Sequence, residues 1–252
     1  MNSNKLNKLP EITFYFWVMK ICATTLGETG GDLISMTLHV GYAISSLILI
    51  SIFLVSLIVQ LYSKHHKPWL YWTVILTTST AGTTMSDYMD RTLGLGYALG
   101  SFILITILIS TFIIWYLSEK SLSVSTITTR KGELFYWIAI LFSNTLGTAL
   151  GDFLADDSGL GFAGGALLIG SLLAIILVLT FYTKISRMGL FWIAFVLTRP
   201  FGATLGDFLT KPLEKGGLDF GTIGSSIILG IVLVVFIIFT SRRDLKLIPK
   251  QN

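Results

Sequence analysis

Charge is scarce in this chain. Only 13% of its 252 residues are Asp, Glu, Lys or Arg, against 53% hydrophobic, too little to coat a water-soluble surface. Cysteine is scarcer still: the lone Cys22 excludes an internal disulfide, and a free thiol in an apolar run is a packing residue rather than a redox group. His39, His65 and His66 are the only histidines and share no face with the acids, which leaves a soft-metal site without ligands. A phosphate-binding loop, a Ser-His-Asp arrangement and a zinc-protease helix are all missing, so neither an enzyme nor a bound cofactor is expected.

What the chain has is length of hydrophobic run. Several apolar stretches reach twenty residues or more, the span of a hydrocarbon core about 30 Å thick. Eight of them alternate in two kinds. Four begin at an aromatic cluster, 11–31, 68–86, 133–151 and 188–206, and are called a spans. Four begin at a glycine, 41–61, 96–117, 161–182 and 221–239, and are called b spans. With short polar connections between them, the expected fold is an all-α membrane protein of eight transmembrane helices.

The a spans carry an internal repeat. Trp17, Trp72, Trp137 and Trp192 are each followed fifteen residues later by Asp32, Asp87, Asp152 and Asp207, with Gly27, Gly82, Gly147 and Gly202 five residues before the aspartates. Spacings of 55, 65 and 55 residues between the tryptophans divide the chain into repeat 1 (1–65), repeat 2 (66–120), a linker (121–131), repeat 3 (132–186), and repeat 4 with its tail (187–252). Each repeat has an even number of spans, so all four enter the membrane from the same side, related by an axis along its normal. The extra linker residues predict two halves of two repeats each.

Orientation follows from the basic residues. Both termini and the b-to-a connections hold thirteen of eighteen Lys and Arg, whereas the a-to-b connections hold Arg91, Lys211 and Lys215. Both ends of the chain are therefore expected in the cytoplasm and the aspartates toward the outside. Ten of the fourteen acids lie on that outer side; the net charge of +4 records topology and gives no support to nucleic-acid binding. Residues 1–9, with Lys5 and Lys8, read as a cytosolic tail and not a removable signal.

A carboxylate inside a lipid-embedded span marks a functional site by default. Relative to each aspartate, position minus seven is Thr25, Thr80, Thr145 and Pro200, and position minus four is Glu28, Thr83, Thr148 and Ala203. Both offsets fall on the aspartate's own helical stripe. Position minus eight is Thr24, Ser79, Asn144 and Arg199; an arginine at that depth demands an acidic partner, either Glu28 or an aspartate. Carboxylates and hydroxyls are ligands for hard cations, so a metal is expected at Asp32, Glu28, Asp87, Asp152 and Asp207. The glycines, with Gly31, Gly151 and Gly206 at minus one, form a small-residue stripe that lets helices approach closely. A plainer alternative has each aspartate capping its own turn at a wet helix end. Lys20 is expected to snorkel to the interface.

The motifs TTLGETGGD, TTSTAGTTMSD, SNTLGTALGD and TRPFGATLGD resemble those of bacterial membrane proteins built from a repeat of unknown function, the uncharacterised membrane-anchored proteins. The resemblance spans nearly the whole chain and implies an eight-helix inner-membrane protein linked to efflux or transport. Ser86 departs from the glycine at minus one, and repeat 4 lacks the minus-seven threonine. The expectation for function is a secondary transporter of inorganic cations, coupled to protons or to Arg199. Its partners are the lipid bilayer and a cation or proton; a homo-oligomer is left open. The rivals are an efflux protein for an organic solute, contacting it midway along the b spans, and a non-transporting scaffold or channel-like bundle.

Overall fold

The computed structural model describes residues 9–63 and 65–247; residues 1–8 of the expected cytosolic tail, with Lys5 and Lys8, and Lys64 lie outside them. Among the described residues the regular structure is entirely helical, with eight long helices: α1 Phe14–Asp32, α2 Tyr42–Tyr62, α3 Pro68–Asp87, α4 Gly96–Glu119, α5 Arg130–Asp152, α6 Gly161–Tyr182, α7 Arg187–Thr210 and α8 Thr222–Leu247. The odd-numbered helices are the a spans and the even-numbered ones the b spans.

Local chemistry sets the boundaries. Thr13, Thr129 and Ser186 accept a hydrogen bond from the backbone N–H three residues on and start α1, α5 and α7, while Pro68 opens α3, where its missing N–H costs nothing. After Asp32, Asp87 and Asp152 the chain does not stop but widens into one π-helical turn, Leu33–Thr37, Tyr88–Thr92 and Phe153–Asp157. Gly41, Gly96, Gly161 and Gly221, at φ +79°, +71°, +67° and +70°, then reverse the chain into the b helices through a conformation that disfavours side chains. Repeat 4 differs: α7 continues to Thr210 and a 3₁₀ turn, Leu213–Lys215, follows.

The four a helices form a closed ring, α1 on α3, α3 on α5, α5 on α7 and α7 back on α1. Each b helix packs on the a helix of the next repeat: α2 on α3, α4 on α5, α6 on α7, and α8 on α1. A single repeat is therefore not a self-contained unit, since its two helices serve different neighbours. The linker does not divide the ring; it crosses the tryptophan end, where the Leu122 carbonyl accepts from Trp192 Nε1 at 2.9 Å.

Polarity follows the same inside-out plan. Leu47, Phe102, Leu167 and Ile228 on the b helices are exposed, as side chains facing hydrocarbon must be. Six helices are long and apolar enough to cross a membrane: Tyr42–Tyr62, Gly96–Glu119, Arg130–Asp157, Gly161–Tyr182, Arg187–Thr210 and Thr222–Arg243. Helices α1 and α3 are more polar because Lys20, Glu28, Asp32 and a run of Ser and Thr occupy them, yet those side chains are buried inside the ring.

The glycine stripe explains the closeness of the ring. A Cβ on Gly27 would strike Ser79, on Gly82 Asn144 and Thr145, on Gly147 Arg199 and Pro200, and on Gly202 Thr24. The minus-five glycine of every repeat thus receives the minus-eight residue of the next, and the pattern returns from repeat 4 to repeat 1. Gly31, Gly151 and Gly206 likewise face Thr83, Ala203 and Glu28, the minus-four residues of the following repeat. At each of these glycines the neighbouring helix comes closer than a side chain would allow.

Candidate functional site at the aspartate end of the ring

Stacked layers of equivalent residues line the inside of the ring. At the tryptophan end the Tyr71 and Tyr136 hydroxyls meet at 2.7 Å within a mesh of aromatic contacts that includes Phe16 with Trp72 and Tyr136 with Trp192. Next come Lys20, Ile75, Ile140 and Phe195, then Thr24, Ser79, Asn144 and Arg199, all at 0% exposure. Glu28, Thr83, Thr148 and Ala203 follow, and the four aspartates close the series at 2–3% exposure. The ring's interior therefore changes from aromatic to hydroxylic to acidic along its length.

Arg199 spans that interior. Its guanidinium forms an ion pair with Glu28 Oε2 on α1 at 2.9 Å, and its Nη2 donates to Thr148 Oγ1 on α5 at 2.7 Å and to Thr83 Oγ1 on α3 at 2.5 Å. Helices α7 and α3 are not neighbours in the ring, so the side chain crosses its centre. Thr83 and Thr148 also donate to the same Glu28 oxygen, at 3.3 and 3.4 Å. Of the two partners the sequence allowed for Arg199, the fold selects Glu28.

The aspartates are not free, and they are not caps. Arg91 Nε lies 3.0 Å from Asp87 Oδ1 and Arg91 Nη2 lies 3.0 Å from Asp152 Oδ2. Lys211 Nζ lies 2.6 Å from Asp32 Oδ2 and 3.1 Å from Asp207 Oδ1. One base thus ties repeat 2 to repeat 3 and another ties repeat 4 to repeat 1. Asp32, Asp87 and Asp152 make no side-chain capping bond at the turns they precede, which removes the capping alternative.

Both clamping bases stand four residues after an aspartate, on its helical face. Only the even repeats have one; the equivalent residue is Met36 in repeat 1 and Asp156 in repeat 3. Sequence reasoning placed Arg91 and Lys211 in outer connections and used them for orientation alone. The plus-four spacing was the available signal.

The remaining expected residues separate into those that reach the acids and those that do not. Thr25, Thr80 and Thr145 donate to carbonyls of their own helices at 2.9, 2.9 and 3.0 Å, and none of the three bonds to an acid of the ring. Asn144 Nδ2 donates to Thr78 Oγ1 at 2.8 Å, and Asn144 Oδ1 is left unpartnered. Lys20 does not snorkel: Nζ is fully buried, 4.2 Å over the Phe195 ring, with no hydrogen-bond partner. The face of α1 that carries Thr24 and Glu28 also carries Lys20, and ring closure turns all three inward.

Glu28, Asp32 and Asp207 each offer a carboxylate oxygen within 4.8 Å of the other two. Asp87 and Asp152, expected to share a metal with them, sit instead on the Arg91 side. Burial opposes the charge on Lys211, but Asp207 and Asp32 outweigh it and hold the ammonium well above the usual lysine range. Among the groups joined in these ion pairs the carboxylates Glu28, Asp32, Asp87, Asp152 and Asp207 number five and the bases Arg91, Arg199 and Lys211 three, a formal excess of two negative charges.

A family model, Repeat of Unknown Function (DUF347), matches the chain four times, at residues 15–66, 70–121, 135–186 and 190–245. The chain belongs to the DUF347 family. Each matched segment holds one a helix and one b helix, so the DUF347 repeat in this chain is a pair whose members embrace adjacent positions of the ring. No curated protein and no solved structure matches the chain.

Proposed function

We propose that this DUF347 protein is a secondary transporter of inorganic cations, coupled to protons, that crosses a bacterial inner membrane eight times with both termini in the cytoplasm. The observation that carries the reading is the buried excess of carboxylate at one end of a closed helical ring: five acids against three bases. Two uncompensated negative charges in such a place need cations or protons to neutralise them. Alternation between the two is the exchange that a proton-coupled carrier performs.

Enclosure of the polar side chains of α1 and α3 by the ring supports counting these two helices as spans alongside the six apolar ones. In this reading the clamps of Arg91 and Lys211 close the outer end, and the Tyr71–Tyr136 contact with the surrounding aromatic rings closes the cytoplasmic end. Arg199 and Glu28, between the two, form the pair whose rearrangement links binding to opening.

The organic-solute reading finds less support. It places substrate midway along the b helices, which flank the ring and expose Ile52, Phe102, Ile175 and Ile231. The scaffold reading gives the carboxylates a role as ties between repeats but leaves their excess over the bases without a purpose.

A thermal-unfolding screen of the purified protein across cations and pH tests the proposal. A ligand present at a hundred times its Kd stabilises the folded state by about 2.7 kcal/mol. The expected result is an ion-specific rise in Tm that Asp207→Asn removes. No rise with any cation at any pH contradicts it.

A further inference from the structure

We infer that Glu28, Asp32 and Asp207 form the seat of a divalent cation and that the Lys211 ammonium is a tethered stand-in which the cation displaces. This rests on the cation-transport reading and names its ion class and seat. Three oxygens within 4.8 Å of one another have a common point no more than about 2.8 Å from each, a few tenths of an ångström beyond a calcium–oxygen bond. Small side-chain adjustments complete that coordination. The donors are all carboxylate oxygens, which suit hard divalent ions such as Mg²⁺, Ca²⁺ and Mn²⁺ over thiolate-seeking ones.

Two further observations point to a cation in this place. A cation is already there: Lys211 Nζ bridges Asp32 and Asp207 at 2.6 and 3.1 Å. Asp207 Oδ1, buried and facing that ammonium, still accepts no hydrogen bond, so Lys211 satisfies the seat incompletely. Lys211 is also built to leave. It follows the last residue of α7, its side chain is 20% exposed, and its contact with Met36 Sδ is long, at 4.0 Å.

The equivalent place between repeats 2 and 3 shares a buried carboxylate oxygen without a hydrogen bond, Asp87 Oδ2, and a partly exposed base, but differs in its base and its donors. Arg91 engages Asp87 through Nε and Asp152 through Nη2, a planar fork matched to two carboxylates, and the residue equivalent to Glu28 there is Thr148. Charge completes the distinction. With Lys211 withdrawn, three carboxylates face the single paired cation Arg199, a formal balance of two negative charges that one divalent ion neutralises and one monovalent ion does not.

Manganese binding to the purified full chain, read by electron paramagnetic resonance with Mg²⁺ and Na⁺ as competitors, tests the inference. Lys211→Gln is expected to bind Mn²⁺ at least tenfold more tightly than the native chain, because the competitor is gone. Lys211→Arg is expected to restore weak binding, and Lys215→Gln, at an exposed position, to leave it unchanged. Mg²⁺ is expected to displace Mn²⁺ where Na⁺ at equal concentration does not. Adding Asp207→Asn to Lys211→Gln is expected to abolish binding. Equal or weaker Mn²⁺ binding by Lys211→Gln, or binding lost on Asp87→Asn and retained on Asp207→Asn, overturns the seat while leaving cation transport standing. Absence of any cation binding in every variant overturns both.

Discussion

Arg199 and Glu28 pair at 2.9 Å in the middle of the helical ring, where the arginine side chain has no exposure and the glutamate only 4%. They come from opposite ends of the sequence, α7 and α1, and their contact closes the ring across the join between the last repeat and the first. Removing one partner leaves an uncompensated charge, a loss of roughly 3–5 kcal/mol in buried pairs, whereas removing both is far milder. Arg199→Met and Glu28→Gln are each expected to lower Tm sharply, and the double variant to recover most of it. A double variant as unstable as the worse single one contradicts this pairing. Thermal unfolding in detergent provides the comparison.

The glycines separate packing from lipid exposure. An alanine at Gly147 drives its Cβ into the Arg199 stem and to 3.0 Å from Pro200 Cδ, whereas Gly230 on α8 has nothing within 4 Å. Gly147→Ala is expected to cost about 1–3 kcal/mol, the usual penalty of overpacking, and to disturb the Arg199 pair as well. Gly230→Ala is expected to be neutral or to stabilise by up to about 1 kcal/mol through helix propensity. Tm values for the two variants decide it; equal effects refute the close approach.

The clamps predict where the aspartate end parts. Arg91 joins repeats 2 and 3 and Lys211 joins repeats 4 and 1, while the seams between α1 and α3 and between α5 and α7 have no base at the equivalent place. Spin labels at the exposed Leu38, Leu93, Leu160 and Leu213, in a Cys22→Ala background, sample all four seams. Distances 38–93 and 160–213 are expected to broaden between conditions. Distances 93–160 and 213–38 are expected to stay narrow, except when Lys211 is displaced. Broadening confined to 93–160 contradicts the assignment.

That pattern marks how far the sequence could be read. The fourfold register, the helical class and the inward stripe of acids were legible because each recurs at fixed spacing within one helix. Glu28 and Arg199 were legible as a candidate pair because lipid leaves a buried arginine few choices. The Arg91 and Lys211 bridges were not, since each has one partner on another repeat and side-chain reach across helices has no local signature. Lys20 was misjudged because three residues from an aromatic belt fits an interfacial lysine, and only ring closure turns it toward Phe195. The division into two sequential halves also misses the clamps, which join repeats across that division at 2–3 and 4–1.

Lys211 supplies a pH prediction. Its pKa is raised in the folded protein, so its stabilising contribution is fully present below the ordinary lysine value of about 10.4 and is lost only as pH rises through the higher folded value. The clamp is expected to persist through alkaline conditions that deprotonate ordinary lysines. Amine acylation followed by peptide mass analysis checks this at about pH 10, near the usual lysine midpoint. Lys211 is expected to react far more slowly than the exposed Lys215, and Asp207→Asn to speed it. Equal rates in the native protein contradict a paired ammonium.

Counterflow of cations and protons across a sealed bilayer tests the central claim most directly. With the purified chain in proteoliposomes loaded with a pH-sensitive dye, an imposed Mn²⁺ or Mg²⁺ gradient is expected to drive an opposing proton flux, and Asp207→Asn, shown to be folded by its unfolding transition, is expected to abolish it. Absence of proton movement with any cation, or flux undiminished in the Asp207→Asn protein, contradicts the account.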